Sequence, residues 1–282
     1  MSSPWDWTCM PYTPQLVTFF DILGFGNLIE TERPAVIEAI LAKLRRRSTP
    51  DKELRGISET SVIAFSDSVV RAVNILGESN VKHPSGILYY ELFDLAFIQS
   101  LLVYEDGVFL RGAITADKLH FRGRTVFGPG LVRAYQLESK EAIYHRILVD
   151  DKLIELFKKA KRYLGARHHD LITDMEYIDR LAVVDGDGKR FVNYLGFAYN
   201  DIDGDLAFLD ILDRHHERIV EKAKAFQATK VVMEKYKWVA SYHNSIVNGY
   251  PDEFFEEFET AKEVYLVSDK ELPGLSKWKI AK

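Results

Sequence analysis

Residues 15–22 form a continuous apolar run, rich in Val, Thr and Phe, that stops at Gly24 and Gly26. A run of this length bounded by glycines predicts a buried strand followed by a tight turn. Pro34 then opens a pattern with Val36, Ile37, Ile40, Leu41 and Leu44 at helical spacing, closed by Arg45-Arg46-Arg47. Residues 61–65 and 69–75 are β-rich and flank Ser66-Asp67-Ser68, which predicts a hairpin with Asp67 at its tip. Residues 87–104 are apolar around most of their circumference, as in a largely buried helix, and residues 108–119 predict a fourth strand. Strand, helix, strand, strand, helix, strand is the split βαβ order. It predicts an α+β fold with a ferredoxin-like βαββαβ core, an antiparallel sheet and helices on one face.

Further on, residues 129–139 predict a helix and residues 146–149 a short strand. Residues 181–184 and 190–195 flank Asp185-Gly-Asp-Gly as a C-terminal hairpin, and residues 215–242 read as one long charged helix. No repeat, low-complexity tract or Pro/Gly/Ser-rich linker divides the chain. The expected division is an arm over residues 1–14, a core unit over 15–150, and an extension over 151–282 packed on the core or on a dimer interface.

The 282 residues are 47% hydrophobic and 28% charged, an ordinary globular balance that excludes disordered and fibrous classes. Lys and Arg total 37 against 42 Asp and Glu, a net charge of −5, which lacks the basic excess of a DNA or RNA binder. A small anionic ligand needs only a local cluster of cations or a metal. Cys9, the single cysteine, cannot make an internal disulfide. The N-terminus lacks the basic and apolar runs of a secretory signal, and no apolar stretch is expected to reach the ~18 to 20 residues that span a bilayer. The expectation is a cytoplasmic protein with no membrane partner.

Asp21 ends the first buried strand, where a carboxylate is costly unless it is paired or liganded. The predicted topology sets that strand beside the hairpin bearing Asp67, so two carboxylates can converge at one edge. Such oxygen ligands suit Mg2+ or Mn2+. The alternative makes Asp21 a turn cap and Asp67 an ordinary hairpin-tip residue.

Phe19-Phe20-Asp21-Ile22-Leu23-Gly24-Phe25 resembles the first metal motif of the class III nucleotidyl cyclases, and Phe65-Ser66-Asp67 their second. Leu110-Arg111-Gly112-Ala113-Ile114-Thr115 resembles their next central strand. Val126-Phe127-Gly128-Pro129-Gly130 through Ala134-Tyr135-Gln136-Leu137-Glu138-Ser139 resembles their glycine-to-helix segment. In combination, over about residues 15–150, these motifs are most similar to the pyrimidine cyclases of the bacterial Pycsar antiphage system, and the later Tyr236-Lys-Trp-Val and Tyr242-His-Asn also resemble that group's C-terminal region.

The resemblance implies a homodimer that converts UTP to cyclic UMP and pyrophosphate with two Mn2+ or Mg2+ ions, or CTP to cyclic CMP. A downstream effector would read the product. It implies Asp21, Asp67 and the Ile22 carbonyl as metal ligands, and residues around Gly24 and Phe25 as triphosphate contacts. Many adenylate cyclases carry an Asp three residues before the glycine matching Gly128; Thr125 stands there, beside Arg124, and both are expected at the base. The family's transition-state Asn and Arg are replaced by Val132 and Gln136, so a neighbouring cation must serve, and Arg133 is the candidate. Arg111, Lys118, Arg122 and Arg124 lie nearby in sequence. Those two replacements also motivate a second reading, a catalytically silent nucleotide-binding module.

Other signals are weak. Gly24-Phe25-Gly26 completes neither a dinucleotide fingerprint nor a P-loop, and Asp201-Ile-Asp203-Gly-Asp205 places its glycine too early for a calcium loop. His168-His169 and His215-His216 read as exposed residues rather than ligands.

Overall fold

A computed structural model describes residues 12–50, 60–76, 84–159, 171–201 and 205–277. Cys9, His168-His169, most of the N-terminal arm and the centre of the 201–205 segment lie outside them. In chain order come β1 (Thr13–Ile22), α1 (Phe25–Thr31), α2 (Pro34–Ser48), β2 (Thr60–Phe65), β3 (Ser68–Asn74), α3 (Pro84–Asp106), β4 (Leu110–Arg122), β5 (Thr125–Phe127), α4 (Pro129–Lys140) and β6 (Ile147–Val149). They are followed by α5 (Asp151–Lys159), α6 (Leu171–Leu181), β7 (Ala182–Val184), β8 (Arg190–Val192), α7 (Tyr194–Asp201), α8 (Asp205–Ala225), α9 (Lys230–Val247), α10 (Asp252–Glu256) and α11 (Lys262–Tyr265).

The fold is α+β, and the sheet runs β2-β3-β1-β4-β6-β8-β7, with β5 paired to β4. The first four strands in that order are mutually antiparallel, as the βαββαβ reading requires. Among the described residues, only the β4–β6 pairing is parallel. Strand β1 alternates: Leu16, Phe20 and Ile22 join the main core under α2 and α3, whereas Val17 and Phe19 face a second cluster with Ala134 and Leu131 of α4. Helix α4 therefore covers the opposite face. Gly112 lets β1 and β4 approach closely, because a Cβ there would lie 2.4 Å from the Phe20 Cβ.

A buried charge network fastens the main core. Arg71 on β3 is 1% exposed; its Nε and Nη2 donate to Glu91 on α3 at 3.0 and 2.8 Å, and Nη2 also reaches Asp94 at 2.6 Å. Arg71 Nη1 donates to the Ser48 carbonyl at 2.8 Å, and the Thr18 hydroxyl completes Glu91 at 2.8 Å. These bonds join β1, β3, α2 and α3. They also correct the expectation about membrane-length segments: residues 86–106 are long and apolar enough to span a bilayer, but more than half of that window is buried inside the protein.

Three further expectations are corrected. Strand β8 ends at Val192 and α7 begins at Tyr194, where a strand to residue 195 was expected. The fourth strand, expected over residues 108–119, runs to Arg122 and folds back as a further hairpin, with Arg122 paired to Thr125. The long helix is two, α8 and α9, folded back on each other. In one straight helix His215 and His243 would stand about 42 Å apart; here their Nδ1 atoms are 3.0 Å apart. Doubling back buries the apolar faces of both helices in one core, Leu212 and Ile219 from α8 with Val239 and Val247 from α9.

His215 and His243 are buried, not exposed, and their bonds fix their tautomers. His243 Nε2 must donate to the Tyr265 carbonyl at 2.7 Å, so its Nδ1 accepts from His215 Nδ1, and His215 Nε2 accepts from the Tyr194 hydroxyl at 2.8 Å. Both rings are neutral. Burial holds His243 down to about 4 and His145 to about 3, and pushes His215 well below its ordinary value.

Two predictions follow from this interior. Glu91→Ala leaves Arg71 buried and short of its main partner, so chemical denaturation should show a loss of about 3–5 kcal/mol; a loss under 1 kcal/mol would refute the strut. The three histidines take up protons more readily when unfolded, so stability is complete above pH ~6.5 and falls as pH drops toward 4, by about 1.4 kcal/mol per group per unit. Melting curves at pH 7 and 5 measure this, and His145→Phe should shrink the difference.

Candidate active site

Asp21 closes β1, where its register partner on β4 is Arg111. Arg111 Nη2 donates to Asp21 Oδ2 at 2.8 Å and Nε to Oδ1 at 3.3 Å. The same guanidinium is ion-paired with Glu138 of α4, which is only 3% exposed. Burial opposes Arg111's charge, but the Asp21 bond and the charges of Asp21 and Glu138 raise its pKa overall.

The β2–β3 turn brings Asp67 to the same place. Ser66 adopts φ 54, in the left-handed region, and the turn holds only Ser66 and Asp67, between the paired residues Phe65 and Ser68. The Asp67 carboxylate accepts from its own amide, the Ser66 hydroxyl and the amide of Ile22, one residue beyond Asp21. Burial raises the Asp67 pKa, and the Asp21 charge raises it further. Glu138 is pushed up to about 7, first by burial and then by the Asp21 charge, against the pull of Arg111. Lys235 of α9 joins from the far end of the sequence: burial and the Arg111 charge lower its pKa, while Asp21 favours its charged form.

The structure thus unites Asp21, Ile22 and Asp67. Gly24 takes φ 86 and starts α1, whose first residue, Phe25, packs partly buried against the core. Arg133 is held elsewhere, by Asp150 at 3.0 and 3.2 Å, and Asp150 also accepts from Thr115 at 2.8 Å. Those two partners outweigh burial and lower the Asp150 pKa. Arg124 and Thr125 are exposed at the β4–β5 tip. Strand β4 carries Arg111 at one end and this tip at the other, 13 residues that extend roughly 40 Å. One subunit cannot bring them to one small ligand.

Sequence reasoning did not place Glu138 or Lys235 at the site, and it named Arg111 only as a nearby cation. The available signal was the helical spacing of Ala134, Leu137 and Glu138, which sets Glu138 on the inward side of α4.

Among the described residues, no three His, Cys, Asp or Glu side chains form a metal cage. The donor set still fits a divalent ion of the kind that takes one or two carboxylates and completes its shell with phosphates and water. The Asp21 charge disfavours ionisation of Asp67, and a divalent ion would relieve that repulsion.

No protein-family model matches the chain, and no curated protein matches it. Among solved structures it is similar to the monomeric guanylyl cyclase domain of the RhoGC fusion protein from the aquatic fungus Blastocladiella emersonii. The identity is 13%, over 64% of this chain and 94% of that one, with a TM-score of 0.43. The guanylate cyclase domain of RhGC from Catenaria anguillulae, in complex with GTP, is similar at 15% identity over 64% of this chain and 94% of that one, with a TM-score of 0.40. A bacterial light-regulated adenylyl cyclase is similar at 15% identity over 59% of this chain and 56% of that one, with a TM-score of 0.31. These likenesses assign no activity, which rests on the residues of the site.

Mn2+ at about 100 times its dissociation constant should stabilise the wild-type protein by about 2.7 kcal/mol. Asp67→Ala should melt no lower than wild type without metal, because it removes one of two repelling charges, and should lose the Mn2+ shift. An equal shift in both proteins would exclude Asp67 as a ligand.

Proposed function

We propose that the chain is a nucleotidyl cyclase that converts UTP to cyclic UMP and pyrophosphate, with CTP as the alternative substrate. The carrying observation is the meeting of Asp21 and Asp67 at the end of β1, tied through the Ile22 amide. Asp21, Asp67 and the Ile22 carbonyl would hold two Mn2+ or Mg2+ ions. When bound, such ions lower the pKa of the ribose 3′-hydroxyl and neutralise charge on the departing pyrophosphate. The 3′-oxygen loses its proton and bonds to the α-phosphorus as the bond to the β-phosphate oxygen breaks; cyclic nucleotide and pyrophosphate leave. The pyrimidine preference rests on the motif resemblance and on Thr125 standing where adenylate cyclases carry Asp. The role in antiphage defence rests on the resemblance alone.

A homodimer belongs to the same proposal. It would carry the Arg124–Thr125 tip and Arg133 of one chain to the Asp21–Asp67 end of the other. Val132 and Tyr135 on α4 and Phe127 on β5, all about half exposed, offer apolar surface for it. One observation favours the silent module instead: Arg111 already occupies Asp21 with two bonds.

Incubation of the protein with each of the four ribonucleoside triphosphates and Mn2+, with products resolved by mass, separates the readings. Cyclic UMP is expected from wild type and none from Asp67→Ala. Nucleotide binding without any product, from folded protein, would establish the silent module.

A further inference from the structure

The segment beyond residue 150 lies outside the 15–150 span that the cyclase motifs cover most fully, yet one of its cations, Lys235, lies within the electrostatic field of the proposed metal ligand Asp21. The β6–β8 pairing continues the sheet into this segment, and buried contacts hold α9 against the base of β4. The His145 ring packs on Tyr236, with ring centroids 4.8 Å apart. Tyr236 also meets Phe109 edge to face at 6.1 Å, and the Phe109 carbonyl accepts from the Leu23 amide at 3.0 Å, two residues beyond Asp21. Tyr236, the residue after Lys235, thus packs on the residue that bonds the chain just beyond β1.

We propose that Lys235 binds the polyphosphate of the nucleotide, so that α9 completes the active site. Among the described residues its ammonium has no hydrogen-bonded or ion-paired side chain, although it is half-buried and within the field of Asp21 and Arg111. By contrast, Arg111 and Arg133 are spent on carboxylates. A half-buried ammonium with no directly bonded carboxylate has donors to spare, and a polyphosphate arriving with divalent ions would take them. The inference rests on the cyclase reading and adds to it a residue that none of the quoted motifs contains.

The test is calorimetric titration of inorganic tripolyphosphate, with Mn2+ present, into full-length wild type, Lys235→Met and Lys235→Arg. Lys235→Met should bind about tenfold more weakly and Lys235→Arg within about threefold of wild type. The unliganded Lys235→Met protein should melt at or above the wild-type temperature, because an uncompensated charge has been removed. Lys235→Gln serves the same purpose if the Met variant folds poorly. Equal tripolyphosphate affinity in wild type and Lys235→Met, with wild type still making cyclic nucleotide, overturns this inference and leaves the cyclase reading standing. A lower melting temperature with equal affinity losses in Met and Arg variants makes Lys235 structural and also overturns it. Wild type that neither binds tripolyphosphate nor makes a cyclic product overturns both.

Discussion

Arg146 has no exposed surface, and a guanidinium without water survives only where carboxylates meet it. Asp185 and Asp187 do so from the turn between β7 and β8, and Trp238 of α9 donates to Asp185 at 2.6 Å. Tyr144, Phe191 and Trp238 place their rings within 6 Å of the same guanidinium. The Arg146 carbonyl, meanwhile, accepts from the Gly112 amide at 3.2 Å, beside Arg111. One side chain thus binds the C-terminal hairpin and α9 to the strand that carries the site. Removing either aspartate would free more than a surface turn, because the position of α9 depends on the same knot.

The site itself is under electrostatic tension. Arg111 is ion-paired with Asp21 and Glu138, while Asp67 stands in its field without a direct pair, and the excess negative charge shows in the raised pKa values of Asp67 and Glu138. A fold tolerates such repulsion only when other contacts over-determine the geometry. Here those contacts are the β1–β4 register, the tight turn at Ser66 and the Gly112 approach. Arg111 acts as a counter-charge that keeps the three carboxylates together.

Much of the core was legible because its signals are local. The glycine-bounded apolar run of β1, the hairpin tip at Asp67 and the apolar circumference of α3 each follow from neighbours in sequence. The break between α8 and α9 left no such mark: Phe226-Gln-Ala-Thr contains neither Gly nor Pro, and the chain turns there because of what packs beyond it. His215 looked like a surface residue for the same reason, since its partner His243 is 28 positions away. Of the site, the two aspartates announced themselves by standing at strand and hairpin ends. Glu138 and Lys235 did not, because a carboxylate on a polar-looking helix and a lysine among lysines gain their meaning only from the sheet they face.

The length of β4 sets a condition on how the molecule can work. A ligand that needs both the Arg111 end and the Arg124 end of that strand needs two chains, since one rigid strand cannot bend its ends together. Its binding is then second order in protein, and the occupied fraction falls on dilution even with ligand in excess. For such a ligand, cellular abundance of the chain would itself act as a switch on occupancy.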